Sequence, residues 1–408
     1  MNLWKFPPQV GEIRDLKATI MCELHDKLQI LKYDFNNALH KVENQPVGPS
    51  VILLEADKEG VYPITWYINE KIVFQHVITI NNQVDKIITV SCDLLEADTK
   101  HSLWDAMSIT SRTALFHLGD QAYQDGSYRR CLKVKNGPDV KKYYFQLYSN
   151  RYSETWKPHA DLLANVSNYY MWDDHDIVNN IQLDKVSSDI IDVAIEAYDA
   201  YQQYFHVEDT FLFYSFSWYK YLDNELSTVA LTIDRTTKKI PLQDIFTCIE
   251  DLDKINPIKK LILCFSSAPI PHPQGFYGEL YKKIIGVGKF WPEEELVLLY
   301  QWLFYWMGDR EVIILGGDVH FGVHGAMRFN HLKIPILISS PITNQPCLDR
   351  HWAAKGMRGE IPLGDMMFQC FQSKARRCFG EIDLNTMETS IYFSRDKYPK
   401  NLIKYLKY

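Results

Sequence analysis

Strand-like apolar runs alternate with helical patterns along most of this chain, and this alternation limits its fold more than any other feature. From about residue 86 onward, runs such as "KIITVSC", "TALFHLG", "KKLILCFS" and "EVIILGG" are separated by segments with the 3.6-residue period of helices. The clearest helical patterns cover residues 187–205 and 293–307. Strands that alternate with helices indicate an α/β domain, here of roughly three hundred residues.

The first 86 residues have a different pattern. Five short strand candidates follow one another between turn residues: "ATIMCEL", "LQILKYDF", "VILLE", "YPITWYIN" and "IVFQHVITI". In the last of these, Ile72, Phe74, His76, Ile78 and Ile80 occupy alternate positions, which is the period-two signature of a strand. We expect a small β-sandwich of the immunoglobulin or fibronectin type over residues 1–86, followed by a second domain over residues 87–408.

Length and charge restrict the function. A chain of 408 residues suggests two domains, or one large domain with additions. Its net charge of -7 offers no general positive field, so sequence-independent binding of extended nucleic acid is not expected. A small anionic substrate stays compatible with this charge if a metal ion supplies local positive charge.

Two further patterns concern the location of the protein. The N-terminus lacks the apolar core of a signal peptide, and the longest apolar run, residues 296–307, is too short to span a bilayer. The eight cysteines form no CxxC pair, which fits a reducing compartment. We therefore expect a cytoplasmic protein without a membrane span, and its oligomeric state stays open.

Acidic side chains follow several of the strand-like runs. The five strand ends read "SCD" (Cys92, Asp93), "GDQAY" (Asp120, Tyr123), "DDHD" (173–176), "SSAP" (Ser266, Ser267) and "GGDVH" (Asp318, His320). Each alone is ordinary in a turn, but the carboxyl ends of strands in an α/β domain line one crevice. Carboxylates that converge repel one another unless cations lie between them. The shared position therefore predicts a metal site.

The spacing and types of these side chains favour two metal ions. Asp318 and His320 lie about 6.6 Å apart along an extended chain and face the same side, which suits one ligand for each of two ions, with Asp120 as the bridge. The Tyr123 phenolate, with or without a Cys92 thiolate, suits iron. Hard oxygen donors such as Asp174 and Asp318 suit calcium, magnesium or manganese.

At this point the motifs resemble those of the metallophosphoesterase superfamily, and within it those of the PhoD-type alkaline phosphatases and phosphodiesterases. The resemblance runs through residues 87–393 in the order "VSCD", "HLGDQAYQD", "MWDDHDIVNN", "LCFSSAP", "LGGDVH" and "ISSPIT". The "WDDHD" box combined with GDxxY and "GDVH" is specific to this branch. The resemblance implies a four-layer α/β/β/α sandwich that follows the small N-terminal β-sandwich.

The resemblance also implies the ligands of each ion. An Fe(III) ion, as in purple acid phosphatases, would be bound by Asp93, bridging Asp120, Tyr123 and His320. A calcium, magnesium or manganese ion would be bound by Asp120, Asp174 and Asp318.

Two features of this implied site stay open. A cysteine can join the trivalent ion in this group, and Cys92 and Cys131 are both candidates. Cys92 precedes Asp93, and successive strand residues point to opposite faces, so both can bind only if the strand bends at its end. Generic members have a metal-binding His where this chain has Ser266 and Ser267, which leaves the second ion with fewer strong ligands.

The reaction implied by the resemblance is hydrolysis of a phosphate mono- or diester by a metal-activated water. It places His175 on the leaving-group side as a proton donor or electrostatic stabiliser, and Asp176 as the acceptor that orients the imidazole. Asn179 is expected to cap the following helix or to contact phosphate. Arg235 is the second candidate for substrate binding, although it directly follows Asp234, whereas related chains have an Asp-x-Arg motif.

A different class of function competes with this one. The chain could keep the scaffold, lack turnover and act as a binding or structural protein, and the Ser266 position is the single sign of a lost ligand. The basic C-terminal "KYPKNLIKYLKY" is expected to be a solvated helix packed on the domain.

Overall fold

The structure of the 408-residue chain is a computed structural model. It describes residues 3–14, 16–26, 29–45, 48–80, 84–94, 103–110, 112–134, 137, 139–179, 186–202, 212–213, 216–217, 228–233, 242–255, 257–285, 290–344 and 348–395. The predictions for Arg235 and for the C-terminal "KYPKNLIKYLKY" lie outside the described residues.

Two antiparallel sheets form the N-terminal part. One has the order β1-β2-β5, with strands β1 (Trp4–Arg14), β2 (Lys17–Leu24) and β5 (Ser50–Glu55). The other has the order β4-β3-β6-β7, with strands β3 (Leu31–Phe35), β4 (Ala38–Lys41), β6 (Gly60–Ile68) and β7 (Lys71–Ile80). Buried side chains of both sheets, among them Ile20 and Trp66, belong to one apolar cluster. All five strand candidates of this part are confirmed.

Strand β1 was not among the predicted strands. Pro7 and Pro8 argue against a strand because proline cannot donate a ladder hydrogen bond, and it is tolerated at sheet edges or bulges. β1 is an edge strand, and its pairing with β2 is irregular between Phe6 and Gln9. Phe6 packs against Trp156, with ring centroids 5.6 Å apart, and so connects this sheet to the rest of the molecule.

A five-stranded sheet carries the first half of the α/β part. Its order is β10-β9-β8-β20-β21, with strands β8 (Lys86–Val90), β9 (Thr113–Leu118), β10 (Ser167–Met171), β20 (Cys378–Asp383) and β21 (Glu388–Phe393). β8, β9 and β10 run parallel, whereas β20 and β21 are antiparallel. The carboxyl ends of the three parallel strands therefore lie at the same edge.

A seven-stranded sheet carries the second half. Its order is β13-β14-β15-β17-β16-β19-β18, with strands β13 (Thr228–Ile233), β14 (Lys260–Phe265), β15 (Glu311–Gly316), β16 (Gly322–Phe329), β17 (Leu332–Ile338), β18 (Gly359–Leu363) and β19 (Met366–Lys374). β13, β14, β15 and β17 are parallel. The described residues of the run "LFYSFSWY" form two short strands that pair antiparallel, β11 (Leu212–Phe213) and β12 (Phe216–Ser217), and not the single strand that its apolar pattern predicts.

Eight α-helices are described: α1 (Asp125–Cys131), α2 (Val140–Trp156), α3 (Ala160–Leu163), α4 (Ser188–Tyr201), α5 (Leu242–Ile255), α6 (Gly275–Ile285), α7 (Glu293–Met307) and α8 (Leu348–Gly356). Short 3₁₀ helices cover Trp104–Ala106, Lys157–His159 and Asp174–Asp176. The predicted helix over 293–307 is confirmed as α7, and the one predicted over 187–205 begins as expected but ends at Tyr201. Within the described part of the chain, no helix is long and apolar enough to cross a membrane.

The central strands are apolar on both faces, which explains their continuous apolar runs. In β8 and β9, Ile87 and Phe116 belong to a cluster that also contains Ile262 and Leu315 of the seven-stranded sheet. The opposite faces of the two sheets belong to separate clusters, one with side chains of α2 and α4 and the other with side chains of α5 to α8. The chain is thus a mixed α/β fold with several sheets.

Candidate metal centre

The loops after β8, β9, β10 and β15 bring metal-ligating side chains together. Three groups have their ligand atoms within 4.8 Å of one another: Cys92, Asp120 and His320; Asp120, Asp174 and His175; and Asp120, Asp173, Asp174 and Asp318. Asp120 is common to all three. The structure therefore places six of the sequence-predicted site residues at one point, and adds Asp173, for which the sequence predicted no role.

The backbone at these strand ends has an uncommon conformation. Cys92, Asp120, Asp318 and His320 adopt left-handed backbone angles, with φ values of 57°, 57°, 60° and 55°. Residues other than glycine rarely adopt this backbone conformation, because it costs free energy. Such residues are concentrated at functional sites. The sharp turn at Cys92 is the bend that the sequence required if Cys92 is to point into the site.

Two glycines let the sheets approach each other at the site. A Cβ atom on Gly119 would lie 2.7 Å from the Cβ of Asp173, and one on Gly317 would lie 2.5 Å from the carbonyl oxygen of Leu118 and 2.7 Å from that of Ser266. Only glycine avoids these collisions. Both glycines are thus required by the close approach of neighbouring strand ends.

The first group combines sulfur, nitrogen and oxygen ligands. The Cys92 Sγ lies 3.5 Å from Asp120 Oδ2, and the Tyr123 Oη lies 3.0 Å from His320 Nε2. Burial raises the pKa values of the Cys92 thiol and the Tyr123 phenol well above their ordinary values, and nearby negative charge raises them further. Cys131, the rival of Cys92, belongs instead to the apolar cluster beside α2. A thiolate, a phenolate and an imidazole fit an iron ion.

Asp93 has a less direct place than the resemblance implies. Its Oδ1 accepts a hydrogen bond from Thr343 Oγ1 at 2.8 Å, and its N–H donates to the Asp120 carbonyl oxygen at 2.9 Å. Among the described residues, Asp93 belongs to none of the three groups. Its role as a ligand stays a prediction.

The acidic group offers oxygen ligands alone. Asp120 is fully buried, and Asp173 and Asp318 are 5% and 6% exposed. Calcium, magnesium and manganese ions prefer such oxygen ligands. Because several buried carboxylates repel one another, the donor set fits a bound cation. Ser266, at the position of the generic His, is buried beside this group.

His175 contacts Tyr123 and Asp120, and its imidazole has a partner that the sequence did not predict. Its Nδ1 lies 2.7 Å from Asp125 Oδ2, its N–H donates to Asp120 Oδ1 at 3.2 Å, and its ring lies 4.2 Å from that of Tyr123. The orienting carboxylate is thus Asp125, the first residue of α1. The final letter of the motif "HLGDQAYQD" was the one sequence signal for this residue.

The prediction that Asp176 orients His175 is wrong. Asp176 is fully buried and accepts hydrogen bonds from the N–H groups of Gln121 at 3.1 Å, Ala122 at 3.0 Å and Asp173 at 3.0 Å. The reason is local: successive residues of the Asp174–Asp176 3₁₀ helix point in directions about 120° apart. Asp176 therefore faces the backbone that follows β9, and His175 faces Asp125.

Burial and mutual repulsion shift the charges of the site. Burial is the largest cause that raises the pKa of Asp120 to about 8, against the opposing effect of His175. Asp174 and Asp318 add to the rise. Burial alone would lower the pKa of His175, but neighbouring carboxylates, first Asp120 and then Asp125, raise it to about 9. An imidazolium therefore offsets part of the negative charge.

The backbone of Asn179 contacts Asp125, the partner of His175. Its N–H donates to Asp125 Oδ1 at 3.0 Å. The expectation that it caps the following helix is wrong, because α4 has Ser187 as its N-cap, eight positions later. A contact of Asn179 with substrate stays a prediction.

Two solved structures are similar to the chain over nearly its whole length. The structure of PhoD covers 95% of this chain and 88% of its own, with a TM-score of 0.56 and 12% identity. The purple acid phosphatase from yellow lupin (Lupinus luteus) seeds covers 95% of this chain and 73% of its own, with a TM-score of 0.56 and 10% identity. The chain has the PhoD-like fold.

The resemblance that the motifs indicate is thus confirmed at the level of the fold. No protein-family model and no curated protein matches the sequence. In the PhoD-like fold of this chain, strand ends of the five-stranded and the seven-stranded sheet that the sequence singled out come together, and the three ligand groups lie there.

Proposed function

We propose that this protein is a metal-dependent phosphoesterase that hydrolyses phosphate mono- or diesters at a two-metal site. The observation that carries the proposal is the position of Asp120. Its carboxylate belongs both to a group with Cys92 and His320 and to a group of carboxylates that includes Asp174 and Asp318. One carboxylate between two different ligand sets is the arrangement that a bridged pair of metal ions requires.

The ligand sets fit different ions. We propose Fe(III) at Cys92, Tyr123 and His320, with Asp93 as a further ligand. We propose calcium, magnesium or manganese at Asp174 and Asp318, with Asp173 as an additional oxygen ligand. The division rests on donor chemistry, because thiolate and phenolate suit iron and carboxylates suit the harder divalent ions.

Bound metal ions would supply Lewis-acid activation of water and compensation of charge on the phosphate oxygens. The other requirements fall to side chains of the chain. Asp125 fixes the His175 ring through Nδ1, so a proton can be given to the leaving oxygen at Nε2. The Tyr123 ring packs against the imidazole and restricts its rotation. The largely buried position of His175 strengthens its electrostatic effect, since less water screens it.

Several finer features belong to the same proposal. We propose Asn179 and Arg235 as substrate-binding residues, the former because Asp125 holds its backbone near His175. We also propose a boundary between an N-terminal β-sandwich and a catalytic domain at residues 86 and 87, and a four-layer α/β/β/α arrangement of the latter. The apolar clusters on both faces of the two large sheets support this layering. A cytoplasmic location stays a prediction.

Metal content and activity on simple esters test the proposal together. Protein purified without chelator should contain two metal ions per chain by elemental analysis. It should also hydrolyse p-nitrophenyl phosphate, bis(p-nitrophenyl) phosphate or both. The Asp120→Asn variant is the matched control, since it keeps the shape of the side chain but loses the bridging charge.

Two other outcomes would decide against the proposed function. Protein without metal that hydrolyses neither ester under any added divalent ion would refute the proposal. Protein with two metal ions per chain and no hydrolysis of either ester would instead favour the alternative function, a binding or structural protein on the same scaffold. The buried Ser266, in place of the generic His ligand, is the observation that would explain that outcome.

A further inference from the structure

Residues 339–344, "SSPITN", follow β17 and contain most of the "ISSPIT" motif, for which the proposed mechanism has no use. This segment, termed here the ligand brace, is attached to the chain after β8 through its backbone. The N–H of Ile342 donates to the carbonyl oxygen of Ser91 at 2.8 Å, and the N–H of Asn344 donates to that of Cys92 at 3.4 Å. The ligand brace therefore lies directly beside the first ligand group.

Side chains of the ligand brace contact four residues that the sequence predicts as metal ligands. Ser340 contacts Cys92 and His320, Thr343 contacts Asp93, and Asn344 contacts Tyr123. Ser340 and Thr343 are fully buried. Polar groups that hold metal ligands in orientation contribute to metal affinity even though they do not touch the ion.

Ser340 has the most specific geometry of these residues. Its Oγ accepts a hydrogen bond from the His320 N–H at 3.0 Å and lies 3.2 Å from the Cys92 Sγ. A hydroxyl has one proton to donate, and a backbone N–H can only donate. The proton of Ser340 is therefore available to the sulfur, which accepts it best as a thiolate.

This one hydroxyl connects ligands from different sheets. Cys92 follows β8 of the five-stranded sheet, and His320 follows β15 of the seven-stranded sheet. Both residues adopt strained left-handed backbone angles, with φ values of 57° and 55°. Strained conformations persist when surrounding contacts over-determine them, and Ser340 supplies a contact to each.

Asn344 contacts Tyr123, which is proposed as a ligand of the same ion as Cys92 and His320. Its Nδ2 donates to the Tyr123 Oη at 3.0 Å, and the same oxygen lies 3.0 Å from His320 Nε2. A donor on one side of the phenol oxygen restricts where the remaining lone pair points. Asn344 thus directs the Tyr123 oxygen towards the His320 side of the group.

We propose that Ser340 is a positioning residue for the metal ion bound by Cys92, Tyr123 and His320, and that Asn344 assists it. The inference rests on the proposed function, because it requires that this group binds a metal ion. It goes beyond that function by assigning a role to the ligand brace, whose side chains contact the proposed ligands.

The test compares Ser340→Ala with Ser339→Ala. Both serines are fully buried neighbours, and each substitution removes one hydroxyl, but Ser339 Oγ contacts Thr89 Oγ1 at 2.7 Å rather than a ligand. Two quantities are measured for each variant. One is the affinity for Fe(III), the ion proposed for Cys92, Tyr123 and His320, by competition with a chelator. The other is the melting temperature of the metal-free protein. Ser340→Ala should bind the ion about 10- to 100-fold more weakly than wild type, whereas Ser339→Ala should bind it like wild type.

The melting temperatures separate a positioning role from a merely structural one. Both variants lose a buried hydrogen bond and should lose similar stability when metal-free, but only Ser340→Ala should lose metal affinity. If Ser340→Ala does not fold, Asn344→Ala provides the same comparison at a half-buried position, with weaker metal binding expected. Equal metal affinity of the folded variant and Ser339→Ala would refute this inference and leave the proposed function intact. Wild-type protein that binds no metal would refute both.

Discussion

Two fully buried aspartates, Asp120 and Asp176, lie at the ends of neighbouring parallel strands but have opposite surroundings. Asp176 accepts hydrogen bonds from three backbone N–H groups, those of Gln121, Ala122 and Asp173. Asp120 accepts one from His175 and is surrounded by further carboxylates, including Asp174. Sequence reasoning gave both residues a part in the chemistry, whereas the structure gives them different kinds of partner.

The difference shows how burial and partners together decide the role of a carboxylate. Burial raises the pKa of Asp176, but only to about 6, because its backbone hydrogen bonds lower the pKa and so oppose the effect of burial. Burial and the neighbouring carboxylates raise the pKa of Asp120 to about 8. A buried carboxylate whose bonds are satisfied stabilises the fold, while one that is crowded by like charges gains most from a cation.

Replacement of Asp120 should have the largest effect on activity. The Asp120→Asn variant should lose metal from both ligand sets, and its turnover should fall about a thousandfold or more, since several kcal/mol of stabilisation by metal are lost. Elemental analysis and steady-state kinetics measure the two effects.

The metal-free stability of the same variant provides the control. The pKa of Asp120 is raised on folding to about 8, so at neutral pH ionisation of this carboxyl favours the unfolded state and costs stability. A neutral amide removes this cost, and the melting temperature of metal-free Asp120→Asn should therefore not fall below that of metal-free wild type. A clear fall would show that Asp120, like Asp176, is mainly structural.

Replacement of His175 tests whether the residue that donates to Asp120 is catalytic or a ligand. The His175→Ala variant should turn over about a hundredfold more slowly, because a positioned proton donor is lost, with metal content unchanged. His324→Ala is a suitable control, since His324 is half-buried and contacts Thr389 at 2.9 Å outside the three groups. Loss of metal would instead make His175 a ligand, as its place in a group with Asp120 and Asp174 allows.

Replacement of Asp176 should show the reverse of the Asp120 result. Asn would keep one carbonyl oxygen for Gln121 and Ala122, but its amide would face the N–H of Asp173. We expect Asp176→Asn to lower the free energy of unfolding by about 2 kcal/mol, while the folded protein keeps its metal. Chemical denaturation and elemental analysis measure these quantities. Unchanged stability with lost metal would return Asp176 to the site.

The fold was predictable from the sequence where the apolar pattern was strong. The helix over Glu293–Met307 and the strands that are buried on both faces, such as β9 and β14, follow from their apolar period alone. β1 could not be predicted because Pro7 and Pro8 are signals against a strand. Its place at a sheet edge, where proline is tolerated, depends on contacts across the chain.

The apolar strands also made the positions of the ligands predictable, because the ligands follow the strand ends. The orientations of the side chains were not predictable. The carboxyl ends of the strands in an α/β domain line one crevice, so Asp120, Asp174 and Asp318 could be brought together from their places in the sequence. The pairing of His175 with Asp125 joins residues 50 positions apart, and that of Cys92 with Ser340 joins residues 248 apart. Spacing alone does not show which way a side chain points after a left-handed turn.

Replacement of Asp125 should have the smallest effect on activity among these variants. It refines the comparison of Asp120 with Asp176, because Asp125 acts on Asp120 only through His175. In Asp125→Asn, Oδ1 can still accept the N–H of Asn179, but the imidazolium loses a charged partner at 2.7 Å. We expect turnover to fall about tenfold, with metal content unchanged.

The proton itself can be followed in the metal-free Asp125→Asn protein. The carboxylates around His175 raise its pKa to about 9, and loss of one of them must lower that pKa. An NMR titration of the imidazole should therefore show a lower His175 pKa in Asp125→Asn than in wild type, and the same titration of His324→Ala serves as the control. An unchanged pKa together with unchanged turnover would mean that Asp125 only anchors the backbone at Asn179. The imidazole would then be oriented by the ring of Tyr123, which packs against it.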